Sequence, residues 1–379
     1  MKRSLCVLLL FTTGIACFAI DAPEEYEPPL HPIFQSQSKD THGHDMWQNP
    51  ACLIDSRGIE FHFRSNVGVY TALQSFRALL TGEYDIIAFW IDQFSEGGYG
   101  TGLCFDISVA GTFWAAGGNT FVDFFVKGPS FLNVSHGAMT WTSTLYFAAT
   151  LPIRISEIDI GIGISLVPLY RLKVPLNTQF FSQLYQNIIS LAGDELDKYF
   201  QGLDLFKGLG FQLNAGLLVA YGDFDVGVLI SDITSSRIYY ERHHLADVID
   251  NISSLFQLNG YPIDHVGVIP PDISLCTSHT WNIDSTIVPF VELQGGVNDI
   301  IAAFSNLSQF LTHISLAAAV HFSSFFSIQA AVHHGAALLD FALSLSWFRM
   351  TTGFSQALSD SIVYPYPAKS FHVQVDVIL

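Results

Sequence analysis

Phe371-His372-Val373-Gln374-Val375-Asp376-Val377-Ile378-Leu379 closes the chain. Phe371, Val373, Val375, Val377 and Leu379 fall on one face, and His372, Gln374 and Asp376 fall on the other. A period of two marks a strand with one apolar face. A soluble sandwich would turn that face to its core. A transmembrane barrel would turn it to lipid and the polar face to its lumen. Periodicity alone leaves both open, so the rest of the chain has to decide.

The same alternation recurs along the chain. Ile59, Phe61, Phe63 and Val67 oppose Glu60, His62, Arg64 and Asn66. Leu103, Phe105, Ile107 and Val109 oppose Asp106 and Ser108, and Ile158, Ile160, Ile162 and Ile164 oppose Asp159, Gly161, Gly163 and Ser165. Leu209, Phe211, Leu213 and Leu217 oppose Gln212, Asn214 and Gly216. Gly222-Asp223 then suits a two-residue hairpin turn. These patterns predict about fourteen strands, near 59–70, 101–115, 119–127, 138–151, 157–174, 208–221, 224–234, 272–280, 285–293, 313–322, 325–334, 338–347, 349–356 and 370–379. An even number puts both ends of the barrel on one side of the membrane. Two long connections interrupt the series. Apolar residues recur at helical spacing in both: Phe180, Phe181, Leu184, Tyr185 and Ile188 within 176–206, and Leu245, Val248, Ile249 and Ile252 within 235–271. They fall on the outer side as the third and fourth outer loops, while the opposite turns are short.

The chain has 379 residues, half of them apolar, and only 13% are charged. No clean spanning helix follows the leader; even the apolar stretch 314–347 is interrupted by His321, Gln329 and Asp340 and alternates as strands do. A hydrophobic chain without spanning helices crosses a bilayer as a closed barrel with every backbone group paired. A net charge of −18 argues against nucleic acid as a partner. Residues 1–19 read as an export signal: Lys2 and Arg3 are basic, Leu5 to Ile15 is apolar but too short to span, and Ala19 is a cleavage site. Lipidation at Cys17 is the alternative. Cleavage leaves Cys52, Cys104 and Cys276, an odd and widely spaced set that fits neither a disulfide framework nor a zinc site. His42-Gly43-His44-Asp45 has metal-binding side chains in an exposed polar leader, where any binding would be incidental. No Gly-x-Ser-x-Gly occurs and the 14 histidines form no spaced constellation, so no catalytic residue, cofactor or functional metal is expected.

Met46-Trp47-Gln48-Asn49-Pro50-Ala51-Cys52-Leu53 lies between the polar leader and the first strand. Pro50 pushes Asn49 toward an extended or turn conformation. The small Ala51 lets the backbone pass close to another element. Ahead of a barrel in an exported chain, Asn49-Pro50-Ala51 resembles the Asn-Pro-Ala signature in the N-terminal hatch of the FadL family, the outer-membrane transporters of long-chain fatty acids. The closing strand is similar to the terminal strand by which outer-membrane barrels are recognised for assembly, with Leu379 in place of the usual aromatic. The resemblance spans residues 45–379 and is that of a divergent member.

The resemblance implies an all-β, fourteen-stranded barrel over 59–379, a leader and hatch over 20–58, and helical outer loops. It implies uptake of long-chain fatty acids or other hydrophobic molecules across the outer membrane of a diderm bacterium. Contacts with outer-membrane lipid and the barrel assembly machinery follow. Ligand would enter between the outer loops and leave sideways at an inward kink of the third strand, which Gly117, Gly118, Gly128 and Pro129 flank. A fatty acid needs an apolar slot and a cation or donors for its carboxylate. Arg64, Arg171 and Lys173 lie on the lumen phase and Lys127 closes the third strand. These four, with Phe180, Phe181, Leu184, Tyr185 and Ile188, are the expected ligand-binding residues. A barrel of this shape acting as an adhesin or secretion partner is the alternative.

Overall fold

The computed structural model describes residues 24–26, 49–54, 58–68, 99–127, 136–176, 203–245, 262–283, 287–305, 310–322, 325–333, 335–358 and 369–378, with Thr81, Ser182 and Ser285 as isolated positions. Seventeen strands form one sheet. A three-residue strand, β1 (Glu24–Tyr26), comes first. Then follow β2 (Gly58–Gly68), β3 (Tyr99–Ala110), β4 (Trp114–Lys127), β5 (His136–Ile155), β6 (Ile158–Pro175), β7 (Asp204–Tyr221), β8 (Phe224–Ser231), β9 (Ser236–His244) and β10 (Ile263–Ile269). The last seven are β11 (Asp272–Asn282), β12 (Phe290–Val297), β13 (Ile314–Phe322), β14 (Phe326–His333), β15 (Ala336–Leu345), β16 (Phe348–Ala357) and β17 (Lys369–Ile378).

Fourteen of these, β2–β8 and β11–β17, close an antiparallel barrel. β8 pairs with β11, and β17 returns to β2 from Ser370↔Gly68 to Ile378↔Glu60. Closure leaves no edge in the ring, the condition for strands in lipid. The barrel is inside-out relative to a soluble core. Its outward row is apolar, with Phe105 60% and Leu145 56% exposed, while its inward row is polar, with Asp376 0% and Asp106 2% exposed. The closing strand keeps the phase read from its sequence: His372, Gln374 and Asp376 are buried inward and the valines between them are half-exposed. That polarity is the membrane solution of the two left open by periodicity.

The wall is uneven in height. β5, β6 and β7 run 20, 18 and 18 residues, whereas β13 and β14 run 9 and 8. About 9–11 tilted residues cross the hydrocarbon, so the long strands project beyond it. The short turns Gly222-Asp223 and Ser346-Trp347 join strands at the end where β2 begins and β17 finishes. Gly222 takes φ 57° between the paired Tyr221 and Phe224, as its sequence suggested.

The sequence expectations need four corrections. First, the connection 235–271 holds two strands, β9 and β10, which continue β8 and β11 upward. Asp232 (φ 54°) and Ser235 (φ 53°) break the first run, and Pro270-Pro271, lacking N–H donors, break the second. β9 pairs with the upper half of β7, from Asp204↔His244 to Gly210↔Ile238. Of the residues expected at helical spacing, Phe180, Phe181, Leu184, Tyr185, Ile188, Val248, Ile249 and Ile252 lie outside the described residues. Second, no register shift marks the inward kink expected of the third barrel strand, β4: it pairs with β3 from Tyr99↔Val126 to Ala110↔Ala115 and with β5 from Trp114↔Ala149 to Lys127↔His136, an unbroken ladder on both sides. Gly117 and Gly118 lie inside that ladder; Gly128 and Pro129 lie outside the described residues. Third, the strand expected over 101–115 stops at Ala110, because Gly111 donates to the Trp114 carbonyl at 2.8 Å and closes a turn. Fourth, the strand expected over 285–293 spans 290–297, since Ser285 instead bonds the Ile287 and Val288 amides in a turn.

Candidate functional site

The segment Pro50–Ile54 forms a single 3-10 turn inside the lower part of the barrel. Pro50 starts it, a position that needs no N–H donor. The Asn49 carbonyl accepts from Cys52 N at 3.0 Å, and its side-chain oxygen accepts from Ala51 N at 3.0 Å. The amide nitrogen of Asn49 donates to the Leu217 and Val228 carbonyls, each at 3.3 Å. Asn49 thus fastens to β7 and β8. A local motif signals a tight turn but carries no information on which distant strand it meets.

The inner wall is stripped of side chains where the turn lies. A Cβ at Gly163 would stand 2.3 Å from the Pro50 carbonyl carbon, and one at Gly216 1.8 Å from the Asn49 side-chain oxygen. Thr150 donates its hydroxyl to the Pro50 carbonyl. Asn49 and Ala51 are 4% and 0% exposed, so the turn is enclosed. Leu53 is buried against Ala115, Tyr146, Ala148 and Val167. The β5–β6 ladder lacks its pairs between Thr144↔Leu169 and Phe147↔Leu166, where Pro168 brings no N–H. Leu53 of the turn packs on Tyr146 and Val167, the residues at that gap.

A second cluster lies higher on the tall wall. One row across the sheet reads Arg171 (β6), Gly208 (β7), Tyr240 (β9), His265 (β10). A Cβ at Gly208 would meet the Tyr240 ring at 2.5 Å, so the glycine makes room for the ring. The Tyr240 and His265 rings stack at 4.6 Å, the Phe206 ring meets His265 edge-on at 5.0 Å, and the Lys173 ammonium lies 5.8 Å from the Tyr240 centroid. Arg171 is buried and donates from Nε to the Thr142 hydroxyl at 3.0 Å. Leu169, Ile238 and Ile269 pack with Tyr240 as the apolar floor. Aromatic faces, an apolar floor and two cations suit an amphipathic molecule with an anionic head. At the outer rim Arg242 makes a bidentate pair with Asp204 at 3.0 and 2.7 Å, and that carboxylate raises the Arg242 pKa.

Of the expected ligand-binding residues, Arg171 and Lys173 come together here. Arg64 and Lys127 are placed by backbone only, opposite Gln374 and His136. Phe180, Phe181, Leu184, Tyr185 and Ile188 lie outside the described residues, as do His42 and His44. Tyr240 and His265 were missed because their strands were read as loop. The alternation Ile238-Tyr239-Tyr240-Glu241 was present, but it was hidden by the flanking charges.

No protein-family model matches the chain, and no curated protein matches it. Among solved structures, it aligns with the Pseudomonas putida toluene transporter TodX at 12% identity, covering 95% of this chain and 98% of that one, with a TM-score of 0.41. It aligns with the Ralstonia pickettii toluene transporter TbuX at 11% identity, covering 89% and 92%, with a TM-score of 0.42. A Pseudomonas aeruginosa FadL homologue gives 9% identity, 88% and 93% coverage, and a TM-score of 0.42. The closed fourteen-strand antiparallel barrel, rather than these overlaps, makes the fold FadL-like.

Proposed function

We propose that this chain is an outer-membrane channel for the uptake of hydrophobic small molecules, with long-chain fatty acids as its substrate class. Residues 1–19 direct its export. The observation that carries the reading is the upper cluster: Tyr240, His265, Phe206 and the apolar residues beside them for a tail, Lys173 and Arg171 for a head, above the buried Asn49 turn. Each methylene moved from water to such a floor gains about 0.8 kcal/mol, so a long acyl chain supplies ample driving force for capture. A carboxylate beside two cations adds charge-assisted hydrogen bonds. No bond is made or broken; the chemistry is partition and release.

The test is organic extraction of the purified, heat-modifiable barrel followed by mass spectrometry. Wild-type protein should retain fatty acids, and Lys173→Glu should retain several-fold less while keeping the same heat-modifiability. A folded barrel that yields no hydrophobic molecule, even after incubation with fatty acid, would point instead to an adhesin or secretion role.

A further inference from the structure

Above the ring, β10 pairs with β9 on one edge, while β12 ends at Val297, level with Leu275 on β11. Among the described residues β10 therefore has no barrel strand on its second edge. That edge is occupied by β1, in parallel, with Glu24↔Val266, Glu25↔Gly267 and Tyr26↔Val268. At its foot lie two short helices, α1 (Ile300–Ser305) and α2 (Phe310–His313), and Asp299 N donates to the Ser274 hydroxyl at 3.4 Å.

We propose that the upper edge of β10 is a strand-acceptor site whose resident strand is Glu24–Tyr26, a latch that holds Glu24 and Glu25 at the outer mouth of the barrel. Three observations support it. An uncovered edge is a template for foreign strands, and chains cover such edges deliberately. The latch and the turn at Asn49 sit at different heights: Asn49 bonds carbonyls near the lower ends of β7 and β8, whereas β1 pairs beyond the Pro270-Pro271 break. Finally, Glu25 pairs with Gly267 in the row that holds His265 and Ile269, so the latch completes the wall beside the upper cluster. The pairing does not depend on what the barrel carries, so it stands or falls separately from the uptake reading.

Paired cysteines test it in the full-length, heat-modifiable barrel. Glu24→Cys with Val266→Cys should give an oxidised, linked peptide after digestion, identified by mass with the native cysteines left in place. Glu24→Cys with Ile263→Cys is the mismatch control, about 10 Å further along the strand and beyond the roughly 7 Å a disulfide bridges. The first pair should link at least several-fold more than the second. In whole cells, Glu24→Cys should react with a membrane-impermeant maleimide. Equal linkage in both pairs, or a Glu24→Cys thiol shielded in whole cells, overturns the proposal.

Discussion

Two stretches of the inner wall solve the same problem in opposite ways. Along β6, β7 and β8 the lumen-facing glycines are Gly163, Gly216 and Gly227: the Pro50-Ala51 backbone fills the space at Gly163, the Asn49 side chain that at Gly216, and Cys276 with Asn49 that at Gly227. Along β15, β16, β17 and β2 the row is filled by the wall's own side chains. His62 Nδ1 lies 2.9 Å from Asp376, Gln374 donates to both Asp376 oxygens at 2.9 and 3.0 Å, and His372 Nε2 lies 3.0 Å from Asp340. Even the glycine there serves the pair: a Cβ at Gly353 would stand 2.1 Å from the Asp340 oxygen and 2.7 Å from the His372 ring. A lumenal glycine thus marks either the Asn49 segment or a close His–Asp contact, and the neighbours decide which. The filled wall is rigid by its own bonds. The glycine wall depends on a separate segment, which is what a gate requires.

Both walls share one exterior, and the largest effect should come from there. Val375→Arg or Val377→Arg puts charge into lipid at about 2–4 kcal/mol near the midplane. Gln374→Arg, on the lumen row, keeps donors toward Asp376 and should cost far less. Folding yield by heat-modifiability measures both, and equal losses would reject the assignment of faces.

Next comes the glycine wall. Gly163→Val overpacks the seat by about 1–3 kcal/mol. The 3-10 turn should yield before the ladder does, because few bonds hold it. Alkylation of Cys52, which lies in that turn, should then quicken several-fold in a barrel that still folds; an unchanged rate would mean the wall gives way instead. On the filled wall, Gly353→Ala should separate His372 from Asp340 at a cost of about 1–3 kcal/mol for the groups left unpaired. It should lower the unfolding midpoint and leave Cys52 alkylation untouched.

These contrasts were only partly legible in the sequence. The closing strand declared its phase, because every second residue from Phe371 to Val377 is apolar and no long-range fact was needed. Gly161, Gly163 and Gly216 fell on the lighter, inward phase, and Asn49-Pro50-Ala51 was readable as a turn seated there. Their mutual contact was not, because register between residues more than a hundred positions apart is set by closure of the whole ring. The Asp232–Ser235 bulge hid β9: Asn214 accepts from Asp232 N at 3.0 Å and Gln212 donates to its carboxylate at 3.2 Å, two long-range bonds that let the strand resume. Gly117-Gly118 misled in the other direction, since glycine permits a kink without requiring one.

The uptake proposal makes the Asn49 turn the point that limits the passage of hydrophobic molecules. The direct test is the initial uptake rate of a labelled long-chain fatty acid in cells carrying equal surface amounts of each variant. The expected order is Gly163→Val fastest, then Asn49→Ala, which removes the two bonds to Leu217 and Val228, with Gly353→Ala equal to wild type. The same rate in all four proteins would contradict the account.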